Sequence, residues 1–173
     1  TGVQTCALPI SQISPKVYQF DLYLLRTSET PLELAAMQYG LGIDTSVANG
    51  GNLSYSYVSG SSQLLSSQAP QSLNMGVASY QPGGQGTPIY RYLNQSVRVG
   101  PGVGNGTMIS NVKNGCNAPG TRIGTFRVTN TVDFRSLSRP NHLFSTSAAS
   151  GKLLTSINGY VRGTNIDRKS TRL

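Results

Sequence analysis

The chain offers few groups that could do chemistry. Residues 11–166 hold one histidine, His142, one cysteine, Cys116, and five acids: Asp21, Glu29, Glu33, Asp44 and Asp133. Acid–base catalysis needs paired carboxylates or a positioned histidine, and a metal centre needs clustered ligands. No HExxH, CxxC or DxDxDG pattern occurs. Glu29 and Glu33 flank a predicted turn and read as a solvated face. Asp21 lies on the less apolar side of an alternating stretch and reads as exposed or ion-paired. His142 follows Pro140 and Asn141 at the start of a short strand and reads as a surface or edge residue. The inventory predicts no enzyme, no metal and no cofactor.

Gly100–Gly106, GPGVGNG, has the glycine density of a phosphate-binding loop. It lacks the Gly-Lys-Ser/Thr ending and a following helix whose N-terminus could hold phosphate. It reads as a wide connection between strands. Three Asn-x-Ser/Thr triplets begin at Asn52, Asn94 and Asn105, a short pattern that recurs by composition in Asn/Ser-rich chains.

The tyrosines are the candidate ligand contacts. Tyr55 and Tyr57 share one strand face, and Tyr90 and Tyr92 share another. A planar Tyr ring can stack on a sugar or pack a core. The chain has no Trp, which argues against a flat platform for crystalline polysaccharide.

Charge is uneven. Residues 11–90 carry Lys16 and Arg26 against four acids, whereas 91–166 carry nine basic residues against Asp133. The basic residues are spaced singly, as at Arg122 and Arg127, with no run and no RNP-like aromatic motif. Nucleic acid is therefore an unfavoured partner. No apolar run is long enough to span a membrane as a helix, and no basic–apolar–small leader pattern occurs.

The two ends read differently from the body. TGVQTCALPI (1–10) and DRKSTRL (167–173) show no strand or helix period. The second is what GAT CGG AAG AGC ACA CGT CTG encodes, a sequencing-adapter string, and the first reads as its opposite strand in another frame. Both are expected to be adapter-derived and disordered, with native sequence continuing beyond residues 11 and 166. The tail carries Arg168, Lys169 and Arg172 against Asp167, so of the chain's net +8 the body keeps +6. Setting Cys6 aside leaves Cys116 alone, and one cysteine makes no intrachain disulfide.

Between the ends the period is two. KVYQFDLYLLR (16–26) puts Tyr18, Phe20, Leu22 and Leu24 on one face. LAAMQYGLGI (34–43) puts Ala35, Met37, Tyr39, Leu41 and Ile43 against Ala36, Gln38, Gly40 and Gly42. After an Asn49-Gly50-Gly51 turn, LSYSYV (53–58) alternates cleanly. Ser59–Gln71 reads as a loop with Leu64 and Leu65 tucked beneath it. Further strands are predicted within 73–80, 89–99, 107–110, 121–131, 142–146 and 153–161, with 81–87 a flexible connection. Eight to nine short strands and no helical period predict one all-β domain over 11–166, an antiparallel β-sandwich of jelly-roll or immunoglobulin-like type.

FDLYLLRTSETPLELAAMQYGLGIDTSVANGGNLSYSYVSGSS, followed by RVGPGVGNGTMISN, APGTRIGTFRVTNTVDF, LFSTS and INGYVRGTNI, resembles a recurrent module of large secreted proteins from Bacteroidetes-type bacteria. The resemblance covers nearly all of 16–166, with 81–92 and 111–117 longer than the usual pattern. It implies a cohesin-like or carbohydrate-binding-like sandwich in a protein exported by type IX secretion, at the cell surface or outside it. It implies no catalytic residues. The function expected is a non-catalytic, monomeric module that spaces, or binds a glycan or another surface protein. The alternatives are an accessory carbohydrate-binding module of a carbohydrate-active enzyme and, less favoured, a basic nucleic-acid binder.

Overall fold

The computed structural model of the chain describes residues 3–71, 74–75, 89–97, 102–112, 120–135, 142–146, 153–161 and 164–168. The described residues form ten strands: β1 (Val3–Ser14), β2 (Val17–Arg26), β3 (Glu33–Asp44), β4 (Leu53–Tyr57), β5 (Asn74–Met75), β6 (Tyr90–Val97), β7 (Thr121–Asn130), β8 (His142–Phe144), β9 (Ser156–Val161) and β10 (Thr164–Arg168). A 3₁₀ turn at Thr45–Ala48 follows β3, and Asp44 caps it by accepting from the Ser46 N–H at 2.8 Å. All strand pairs are antiparallel. One sheet has the order β1-β2-β7-β4, the other β10-β9-β3-β6-β5, with β8 also on β3.

The alternation predicted for β2, β3 and β7 sets the core. Phe20, Leu22 and Leu24 from one sheet and Met37, Tyr39, Leu41 and Ile43 from the other join a single buried cluster with Phe126 and Val128. Two sheets sharing one core make a sandwich-like all-β architecture. Phe20 stacks on Phe126 with centroids 5.7 Å apart and meets His142 of the opposite sheet at 4.6 Å.

Several expectations are corrected. Val3–Ile10 lie within β1, paired along β2, and Asp167 and Arg168 end β10, paired with β9. A sheet edge pairs through main-chain groups, so a segment without alternation can extend it. The 107–110 stretch makes an isolated bridge, Glu33 with Met108, and no strand. Of the strand predicted within 73–80 only Asn74–Met75 is described; the rest, 81–87 and Cys116 lie outside the described residues. Leu64 is tucked under its loop but Leu65 is exposed.

β3 is crowded on both faces. On its outward side Gly42 lies beneath Tyr92, whose ring would come within 2.8 Å of a methyl there. At Gly40 the residues just before β9, Leu153 and Leu154, lie against the sheet. The Leu153 N–H donates to Asn94 Oδ1 at 2.8 Å, and Gln38 Nε2 donates to the Leu154 carbonyl at 3.0 Å. A methyl on Gly40 would stand 2.5 Å from the Leu153 carbonyl oxygen. Backbone cannot yield as a side-chain tip can. Gly40→Ala should therefore destabilise the domain by about 1–3 kcal/mol, read as a lowered thermal midpoint.

His142 is not the surface residue the sequence suggests. Its ring is packed on Phe20, and its Nε2 is sealed from solvent with no hydrogen-bond partner. Burial pushes its pKa down from 6.5 to about 4. The unfolded chain therefore binds a proton that the folded chain refuses between those pH values. Stability from the neutral ring is complete above pH 6.5 and falls as pH drops towards 4, by up to about 3 kcal/mol. Thermal melts across that window should show the decline, and His142→Phe should flatten it.

Candidate binding site

β4 ends its sheet and carries two of the four candidate tyrosines. Leu53, Tyr55 and Tyr57 turn inward, while Ser54 and Ser56 are exposed. The Tyr57 ring lies over Gly124, where a methyl would approach Cε2 to 2.7 Å, and meets Phe126 at 5.7 Å. Tyr55 is half-buried against the core. Its hydroxyl is enclosed without a partner, and desolvation raises its pKa.

The loop after β4 is held by its own polar side chains. Ser61 Oγ accepts the Thr125 N–H at 2.8 Å and donates to the Val58 carbonyl at 2.6 Å. Gln63 Oε1 accepts the Arg122 N–H at 2.7 Å. Gln68, fully buried, is the deeper anchor. Its Nε2 donates to the Leu34 carbonyl at 2.8 Å, and its Oε1 accepts both the N–H and the hydroxyl of Thr107 at 2.7 Å. These contacts bring Pro70 and Gln71 opposite β4. Between them lies an open depression of about 530 Å³, lined by Tyr55, Ser56, Tyr57, Ser59, Pro70 and Gln71. None of these side chains is charged.

Glu33 departs from the solvated position expected of it. It is buried, and its carboxylate accepts the Gly104 N–H at 2.9 Å and the Gly106 N–H at 2.6 Å. The glycine-rich loop thus offers an anion cradle, as its composition hints, but a carboxylate of the same chain fills it. Gly106 must be glycine because the Leu34 carbonyl and the Glu33 side chain crowd its Cα. Glu29 is exposed, as expected.

The other singled-out residues are placed elsewhere. Tyr90 and Tyr92 are 7% and 1% exposed, with centroids 6.4 Å apart on the covered side of β6, so neither offers a stacking face. Asp21 is ion-paired, as one of its two expectations holds: Arg122 Nη1 stands at 3.7 Å, and the Thr125 hydroxyl donates at 2.6 Å. Arg127 Nε donates to Gln19 Oε1 at 3.0 Å. Arg98, Lys113, Arg139, Lys152 and Arg162 lie outside the described residues.

The free flank of β4 has a definite hydrogen-bond phase. Val58 donates to the Thr125 carbonyl, and Asn52 accepts from the Thr131 N–H. With Ser54 opposite Thr129 and Ser56 opposite Arg127, antiparallel alternation gives those serines to β7. The N–H and C=O groups of Leu53, Tyr55 and Tyr57 point the other way, where no described strand pairs with them.

Among the described residues no three His, Cys, Asp or Glu side chains converge to hold a metal ion. No described helix is long and apolar enough to cross a membrane. Comparison with protein-family models, curated proteins and solved structures finds no match to this chain.

The sequence gives no warning of Gln68, which sits in a Ser/Gln-rich stretch; Glu33 carries a faint one in its apolar neighbours Leu32, Leu34 and Ala35. Gln68→Leu keeps bulk but strands the Thr107 N–H and the Leu34 carbonyl. At about 1–3 kcal/mol for each buried unsatisfied group, the melting point should drop sharply. Ser66→Ala, at an exposed loop position, should leave it unchanged.

Proposed function

We propose that the chain is a non-catalytic module of a larger secreted or cell-surface protein, serving as a spacer that docks other protein. Under this reading the fold is a jelly-roll or immunoglobulin-like sandwich of cohesin-like type, exported with its parent by type IX secretion. The sequence resemblance supports the setting. The observation that carries the docking role is the open flank of β4, an uncharged edge with three residues' main-chain groups unpaired among described strands. The acids support a structural rather than catalytic use: Glu33 and Asp21 are engaged by amides, a hydroxyl and an arginine.

One observation favours a second reading. The depression beside β4 joins two Tyr side chains to neutral polar groups, a lining that suits an uncharged sugar. An accessory carbohydrate-binding module would use it so. Against that, Tyr55 and Tyr57 are half-buried against the core and present no open ring face.

A pull-down on insoluble polysaccharides and on DNA, at low and high salt, separates the readings. Protein docking predicts retention on neither. Salt-insensitive retention on one glycan, lost in Tyr57→Ala but not in a Tyr57→Phe protein of equal thermal midpoint, would establish the sugar reading. Retention on DNA that falls steeply with salt would establish a nucleic-acid binder.

A further inference from the structure

Sheet edges are normally protected by charge, proline, irregular register or shortness. Among the described residues, three of the four strands that end the two sheet orders have such protection, and β8, which lies off that order, is only three residues long. β1 carries two register shifts along β2. β5 is two residues long. β10 carries Asp167 and Arg168. β4, LSYSY, has none: its register with β7 is unbroken over all five residues, and it holds no charge and no proline.

The strand is also self-complementary. Turned about Tyr55, LSYSY sets Tyr55 opposite Tyr55, Ser54 opposite Ser56 and Leu53 opposite Tyr57. The outward main-chain groups belong to Leu53, Tyr55 and Tyr57, the residues that this register makes hydrogen-bonded pairs. A two-fold antiparallel pairing therefore closes about six main-chain hydrogen bonds and leaves none out of phase. We infer that β4 pairs with β4 of a second copy of this chain, joining the two four-stranded sheets into one continuous sheet across a two-fold axis. This rests on the docking reading above and names its partner.

The side chains fit the same arrangement. Leu53, Tyr55 and Tyr57 of each copy line up on the inward face, so the half-buried rings gain cover from their counterparts. The serines face each other outside. The sequence reading takes the module as a monomer; the unprotected, self-matching edge argues for a pair.

Sedimentation equilibrium on the whole chain tests this. The expected result is a monomer–dimer equilibrium with no larger species, since a two-fold contact closes on itself. Each copy carries a net charge of +8, so raising the salt should strengthen the dimer, the reverse of binding to DNA. Ser54→Lys with Ser56→Lys places like charges opposite one another on exposed positions. It should weaken dimerisation about tenfold or more without moving the thermal midpoint. Mixing that variant with the Ser54→Glu, Ser56→Glu variant should restore a dimer containing one of each. A single-chain mass at every concentration and salt, or a dimer indifferent to the lysines, overturns the inference. Salt-insensitive retention on a glycan that the lysines leave intact would overturn the docking reading itself.

Discussion

The fold depends on one strand being enclosed from both sides. β3 is flanked by β6 along one edge and by β8 and β9 in succession along the other, and it has core beneath and chain above. Its inward residues, Met37, Tyr39, Leu41 and Ile43, supply the centre of the cluster. Its outward residues must make room. Gly40 and Gly42 do so because each lacks the carbon that would strike the Leu153 backbone or the Tyr92 ring. An antiparallel strand usually keeps one wet face, so a strand enclosed on both sides constrains the chain that lies against it.

That enclosure explains the polar groups buried nearby. Where β3 begins, Leu34 donates its N–H to the Thr107 carbonyl and gives its own carbonyl to Gln68. Glu33 holds the amides of Gly104 and Gly106. Two loops distant in sequence, 59–71 and 102–112, are thereby tied to one strand end. The hydrogen bonds are individually modest, but each satisfies a group that would otherwise be buried unpaired. The wall of the depression beside β4 follows, since Pro70 and Gln71 stand two and three residues beyond Gln68. The wall of that depression and the core are thus mechanically linked through a glutamine.

How much of this is legible in sequence divides along a physical line. Period-two patterning reports which side chains share a face, and it locates β2, β3, β4 and β7 with their inward residues. It does not report what covers the other face. Gln38, Gly40 and Gly42 look like the wet side of β3, and only the Leu153–Leu154 backbone and the Tyr92 ring show otherwise. Tyr90 and Tyr92 look like a possible platform for the same reason. Their alternation is real, but both rings are covered. Glu33 and His142 fail differently: charge and polarity argue for solvent, and tertiary contact wins through two glycine amides in one case and the Phe20 ring in the other. For the tyrosines of β4 the alternation is right and incomplete. It gives the inward face of Tyr55 and Tyr57, while the phase of their main-chain groups emerges only from the pairing with β7.

That phase is what makes the edge more than an exposed strand. The symmetry of a strand's sequence and the phase of its outward hydrogen-bonding groups are separate properties. A strand can repeat symmetrically in its side chains yet offer its outward amides at positions that cannot meet under the same rotation. In LSYSY the two coincide on Tyr55, because the symmetric centre of the sequence is also a residue whose N–H and C=O point away from β7. Had β4 paired one residue out of step, the serines would own the outward groups and the rotation about Tyr55 would leave the ladder without bonds at its centre. The same displacement would also turn Leu53, Tyr55 and Tyr57 out of the core. The packing that buries those three side chains therefore fixes the phase of the edge, and burial of the interior determines how the surface can be extended.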